Sequence, residues 1–428
     1  MSDHKPDVST FTVDPKYLTK DGLTGLAREL TTKEKILEAA RQHPVMATLL
    51  IMGGLATLLR FTFGLGTVTN LDDNNPWGIW ISIDLLCGVA LAAGGFVTSA
   101  ACYIFGFKKF HSAVRPAILT AFIGYALVVF ALNYDVGRPY RLPYPLFWSQ
   151  GTSSLLFEVG LCVFLYLTVL FIEFCPAALE WLGLKKIRNV VHGLTIVLTI
   201  FGVMLSTLHQ SSLGALFLIA PSKVHPLWYS SYLPVYFFVS AICAGLSVVI
   251  FEGMLSHKYM HAKMDKITIE EHDGVMFGFA KAAAWVLMGY FFIKWVGVAA
   301  DNNWHYLGTG YGAWFLVEVI GFVFLPAVCY AIGYREQNPT FVKVAAVWTI
   351  LGIVVNRLNV SQIAFNWQLP SDLRYFPHFW EIVVTAFILG LHVLVFRLIA
   401  NRMPILYTHP DYEDHDEDAA VEPAHGGH

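Results

Sequence analysis

The sequence predicts an all-α membrane protein, a polytopic bundle of about ten transmembrane helices, and three observations predict it. Apolar runs of roughly 20 residues recur along the chain, each long enough to cross a hydrocarbon core of about 30 Å. The 428 residues are 56% hydrophobic and 14% charged, with a mean hydropathy of +0.56. Soluble domains carry about 25% charged residues. Basic residues concentrate in alternate loops, as a multi-pass orientation requires. The net charge of -3 says little, because it averages basic loops with an acidic tail. Cys87, Cys102, Cys162, Cys175, Cys243 and Cys329 lie in or beside apolar runs and form no CxxC or CxxCH, so metal, covalent-haem and disulfide readings are weak.

In chain order, residues 1–44 read as an extension whose Thr31 and Glu34 suit a capping box on a short amphipathic helix. It lacks the basic-then-apolar pattern of a signal peptide, so the spans themselves direct insertion. Residues 45–400 form the membrane domain, with spans expected at 45–66, 77–106, 113–134, 153–174, 188–208, 231–256, 274–299, 309–333, 340–363 and 378–400. With both termini cytoplasmic, the inside segments hold roughly 20 Lys and Arg and the outside loops about 4. The outside loops are rich in Trp, Tyr and Pro, which suits a face that receives a partner, and Asp135, Arg138, Arg141, His225 and Trp228 are its docking candidates. For Asp135, Arg138 and Arg141 the plainer reading is an interfacial ion pair. Residues 401–428 are acidic, without apolar periodicity, and are expected to be disordered.

Arg60, Asp84, Glu158, His209, Lys294, Glu318, Arg357 and Glu381 all fall in the outer third of the spans. One charge in hydrocarbon costs at least a few kcal/mol, so a layer of them implies a site. In the second span Gly88, Ala92, Gly95 and Ser99 recur at helical spacing, which permits close packing and a central position. Asp84 on that span is either a salt-bridge partner of Arg60 or Arg357, or a hydrogen-bond and proton partner beside a quinone. Glu158, about a turn and a half inside the fourth span, suits proton exchange, and Glu252 near the inner end of the sixth marks the other end of a proton route, unless it pairs with Lys281. Tyr125 lies mid-membrane, where packing is the plain reading. His209, Gln210 and Ser211 cluster where the fifth span leaves the membrane, and supply donors and a proton source for quinone carbonyls. Arg60, Lys294, Glu318, Arg357 and Glu381 read as counter-charges, three positives against carboxylates. His192 and His392 share a depth, but haem is not expected, nor is a metal.

The stretches FGLG, NPWGIWISIDLLCG, VRPA, GYAL, DVGRPYRLPY, LFE, LHQSSLG, KVHPLW, VIFEG, AFN and YFPHFWE, spread over 45–400, resemble the NrfD/PsrC superfamily of quinone-interacting membrane subunits. They are most similar to the HybB-type subunits of nickel–iron hydrogenase-2. The resemblance implies a bacterial cytoplasmic (inner) membrane subunit without redox cofactors of its own. It implies a periplasmic-side iron–sulfur (ferredoxin-like) partner, hydrogenase large and small subunits beyond it, and menaquinone or ubiquinone as substrate. Tyr125, Glu158, His209 and Glu252 align with the polar residues tied to quinone chemistry and proton movement. The long N-terminal extension and acidic tail depart from the hydrogenase pattern and leave room for a multihaem cytochrome or another periplasmic oxidoreductase. An ion or anion transporter is the rival reading, disfavoured by the lack of repeated halves, and no nucleic-acid partner is expected.

Overall fold

The computed structural model describes residue 38 and residues 40–407. The capping box expected at Thr31 and Glu34, and the acidic tail from residue 408, lie outside the described residues. Among those described there is no strand, only an isolated antiparallel bridge between Val224 and Phe365. Among the described residues, ten helices are long and apolar enough to span a membrane. They are α1 (Pro44–Phe63), α2 (Trp80–Ile104), α3 (Lys108–Asp135), α4 (Leu155–Trp181), α5 (Thr195–Ile219), α6 (Leu233–Tyr259), α7 (Lys266–Ala300), α8 (Gly310–Arg335), α9 (Pro339–Ile363) and α10 (Phe379–Ala400). The largest departure from expectation is α5, expected at 188–208, which begins seven residues late and ends eleven residues late; α7 begins eight residues early. Asp265 caps it, accepting from the Thr268 amide at 2.7 Å, and its 35 residues run about 52 Å, well beyond a hydrocarbon core.

One end of the bundle gathers the basic loops. There Phe110 stacks on Phe279 at 4.3 Å, and Arg115 donates to the Pro404 carbonyl at 3.1 Å. The other, aromatic end is a cap of loops tied by hydrogen bonds. The His225 amide donates to Ala364 O at 2.8 Å and the Asn366 amide to Lys223 O at 2.7 Å. Asn75 Nδ2 donates to Leu373 O at 3.0 Å, and Asn303 Nδ2 to Pro226 O at 2.9 Å. These bonds satisfy loop backbone at a lipid–water boundary, where unpaired groups are costly.

The second span is central, as its small residues predict: α2 is 72% buried over its apolar window, the highest share of the ten. A Cβ on Gly95 would meet Ala121 Cβ of α3 at 2.6 Å. A Cβ on Gly245 of α6 would sit 2.7 Å from the backbone of Ala93 and Gly94. Backbone cannot swing aside as a side chain can, so Gly245→Ala is expected to cost about 1–3 kcal/mol by overpacking. Thermal unfolding in detergent checks this; an unchanged midpoint would show that α2 and α6 separate freely. Unforeseen from sequence, α2, α8 and α9 carry π-helical segments at Trp80–Cys87, Val317–Phe324 and Asn359–Ile363. They hold Asp84, Glu318 and Asn359, in keeping with the tendency of π-turns to occur at functional sites.

Candidate functional site

The layer of charge resolves into separate polar groups. The first lies among α2, α3, α4 and α5. Tyr125 of α3 and His209 of α5 meet through the phenol oxygen and Nδ1 at 3.3 Å, and Tyr125 packs edge-on against Tyr166 of α4 at 4.7 Å. Gln210 Nε2 donates to Val89 O of α2 at 3.0 Å. Tyr125, Tyr166, Ser206, His209 and Gln210 are all fully buried. Yet His209 Nε2, Gln210 Oε1, Ser206 Oγ and the Tyr166 hydroxyl have no hydrogen-bond partner. Four unsatisfied polar atoms in one place are rare in a native interior, because each forfeits hydration without compensation. Three residues further along α5, Ser212 donates to Glu158 of α4 at 2.5 Å. Glu158 is exposed on the bundle's flank.

The second group lies among α6 to α9, with Glu318 at its hub. Its carboxylate accepts from Trp228 Nε1 at 2.6 Å, Asn356 Nδ2 at 2.7 Å and Asn359 Nδ2 at 2.5 Å. Lys294 Nζ lies 3.5 Å away, flanked by the rings of Tyr236 and Phe315. Arg357 donates to Asn356 Oδ1 at 2.7 Å and Ser240 Oγ at 2.9 Å, and covers the Phe237 ring at 3.9 Å. One buried cation, Lys294, thus pairs with the carboxylate, while the other, Arg357, reaches it through Asn356, and oriented amides and an aromatic face complete their solvation. A third site, at the basic end of α6, holds Glu252, whose Oε2 accepts from Thr120 at 2.7 Å while Oε1 is buried and unpartnered.

With this geometry in place, comparison decides the family. The sequence matches the family described as Polysulphide reductase, NrfD, over residues 67–365. This chain belongs to the NrfD family. A protein of Nitratidesulfovibrio vulgaris is 67% identical over 86% of this chain and 95% of its own length. The probable Ni/Fe-hydrogenase 2 b-type cytochrome subunit of Escherichia coli is 32% identical over 85% of this chain and 92% of its own. The integral membrane subunit of menaquinone reductase from Nitratidesulfovibrio vulgaris is 28% identical over 80% of this chain and 86% of its own. The NrfD match takes in α2 to α9 and thus all three polar groups; Arg60 and Glu381, on α1 and α10, fall outside it.

Several expected partnerships do not form in this NrfD chain. Asp84 pairs with neither Arg60 nor Arg357: its Oδ2 accepts from Thr385 of α10 at 2.9 Å, and Oδ1 is buried without a partner. It faces α10, whereas Gln210 reaches α2 five residues further on, so no contact joins Asp84 to the His209 group. Arg60 donates to the carbonyls of Tyr134 at 2.7 Å and Val136 at 2.9 Å, closing the end of α3 where helix carbonyls are orphaned. Glu381 is a clamp for the cap: it accepts from the Asn70 amide at 2.9 Å, the His378 amide at 3.2 Å and the Tyr375 hydroxyl. Of the five expected counter-charges, Lys294 and Glu318 alone pair with each other among the described residues. Lys281 lies over the Tyr334 ring at 5.4 Å rather than against Glu252.

The docking candidates also divide. Arg138 and Arg141 are exposed, and Arg141 lies over the rings of Tyr140 and Tyr144. Asp135 forms an ion pair with neither Arg138 nor Arg141 among the described residues, and its Oδ1 is buried without a partner. His225 and Trp228 are buried, so neither meets a partner directly. His225 stacks on Tyr311 at 4.6 Å and touches Trp367 at 4.7 Å, and burial pushes its imidazole down to about 4. The ring is therefore neutral at neutral pH, as its role in accepting the Leu227 amide at 3.2 Å requires. These two residues hold the cap together because the loop's apolar rings have nowhere else to bury.

The Ser211 side chain makes no hydrogen bond among the described residues; its neighbour Ser212 binds Glu158. Sequence inspection also passes over Asn356 and Asn359, although NRLN in an apolar span is a visible signal. Glu180 escapes notice as well. It is buried at the basic end between Arg115, bidentate at 2.8 and 3.0 Å, and Arg188 at 3.0 Å.

Proposed function

We propose that this chain is the quinone-reactive membrane subunit of a respiratory oxidoreductase, with a periplasm-facing nickel–iron hydrogenase as the catalytic partner. Electrons arrive from an iron–sulfur, ferredoxin-like subunit docked on the aromatic end, where Arg138 and Arg141 are exposed. They pass to menaquinone held near His209, in the inner membrane of a bacterium with the basic end in the cytoplasm. Support comes from the unequal basic loops, from the hydrogenase-2 and menaquinone reductase relatives, and from the chemistry of the first polar group.

One observation carries the reading: His209 Nε2 and Gln210 Oε1 are fully buried and unpartnered, beside a carboxylate on the bundle's flank. With the Tyr125 hydroxyl donating to Nδ1, the His209 proton sits on Nε2, where it donates to a quinone carbonyl. Glu158 faces the lipid side from which an apolar quinone arrives, and Ser212 fixes its orientation. Reduction of the quinone consumes two electrons from the docked subunit and two protons at the carbonyl oxygens; quinol oxidation runs the same steps backwards. His209 and Glu158 relay the protons, and Tyr125 and Glu252 lead toward the basic end. Asp84, away from this group, acts on the bound quinone at most through α2.

In the purified complex, Glu158→Gln is expected to lower quinone-linked turnover by roughly 10²-fold, a common loss for a positioned proton-transfer group. Electron transfer to a soluble dye, which bypasses the membrane, is the control. Equal loss of both activities would sink the role of Glu158.

A further inference from the structure

A cavity at the basic end opens between α3, α6 and α7, with a volume of about 50 Å³. That is room for water, and its walls offer the polar partners water needs. Its titratable groups are Glu252 of α6 and His272 of α7, and Ser112, Ser256 and Thr268 add hydroxyls. The His272 ring lies against α6 where a side chain is missing: a Cβ on Gly253 would stand 3.4 Å from its Cε1. His272 stacks on His257 at 4.7 Å, and His257 meets His261 edge-on at 4.9 Å. Exposure grades along this row, from His261, which is exposed, to His257 and His272, which are half-buried.

We infer that His261, His257 and His272 form a proton inlet that delivers through this cavity to Glu252. The inference rests on the quinone-reactive reading, since protons drawn inward need a consumer. Imidazole exchanges protons near neutral pH on either ring nitrogen. Stacked rings disfavour double protonation, so a proton taken up by His257 weakens the hold of His272 on its own. The proton leaves the His272 imidazolium for a Glu252 carboxylate oxygen across the cavity, and His272 regains one from His257. Asp273 and Lys343 also face His272, while Lys258 and Lys263 flank the row, and this balance of charge keeps the inlet from being a fixed cation.

The test uses the whole purified complex in liposomes with a menaquinone analogue, each rate normalised to dye reduction by the soluble subunits. The double variant His257→Gln/His272→Gln is expected to lose on the order of tenfold in quinone-linked turnover toward alkaline pH, where protons are scarce, and to recover with added imidazole. His261→Gln, at the exposed end of the row, is expected to show a smaller loss of the same pH form. Turnover within about twofold of wild type from about pH 6 to about pH 9 would overturn the inlet. So would a loss that imidazole does not restore. Glu252→Gln separates the two readings: slow Glu252→Gln with normal histidine variants sinks the inlet alone. Wild-type complex that never turns over quinone sinks the quinone reading instead.

Discussion

Glu318→Leu is expected to destabilise the folded protein by about 3–5 kcal/mol, the usual cost of stripping the partner from a buried charge. Lys294 is 3% exposed and pairs with Glu318 directly, while Arg357, 0% exposed, is linked to it through Asn356. Removing Glu318 also leaves Trp228 Nε1 and the amides of Asn356 and Asn359 without their acceptor. The double variant Lys294→Met/Glu318→Leu should recover a good part of the loss, because it removes the stranded ammonium. Unfolding of the detergent-solubilised chain gives both values. A double variant no more stable than Glu318→Leu would mean that the pair contributes nothing and that the amide network alone matters.

His209→Leu is expected to lower quinone-linked turnover by roughly 10²–10⁴-fold, the span associated with a general acid–base group. Its effect on stability should be small, on the order of 1 kcal/mol, since the imidazole makes one neutral hydrogen bond, to Tyr125. Turnover and unfolding therefore separate a chemical role from a packing role. Tyr125→Phe removes that bond while keeping the ring against Tyr166, and should fall between wild type and His209→Leu. A quinone-linked rate for His209→Leu within tenfold of wild type would remove His209 from the chemistry.

Much of the bundle was legible because lipid imposes a simple rule: backbone must satisfy itself, so apolar runs of sufficient length become helices. All ten spans were found in this way, and α2 was placed at the centre from Gly88, Ala92, Gly95 and Ser99. The depth of most charged residues was legible too, since depth follows from position along a span; His209, expected where the fifth span leaves the membrane, instead lies ten residues inside α5, level with Tyr125, because that helix runs on to Ile219. Their partners were not. Rotation about each helix decides whether Asp84 meets Arg357 or Thr385, and a π-helical turn at Trp80–Cys87 changes that rotation with no mark in the sequence. Glu381 lies at the first turn of α10, where depth suggested a counter-charge, but a capping box with His378 claimed it.

The amino-acid sequence by itself thus determined the class, the number of spans, the family and the layer in which most of the ionisable residues lie, all of which depend on composition and order along one axis. Only the tertiary structure decided that the layer is not one network. It set His209 with Tyr125 and Gln210 among α2 to α5, Glu318 with Lys294 and Arg357's amide partner among α6 to α9, and Glu252 with the histidine-lined cavity at the opposite end. The physical reason is that a hydrogen bond acts over about 3 Å, whereas position along a span fixes depth alone and leaves the angle about each helix to be settled by packing.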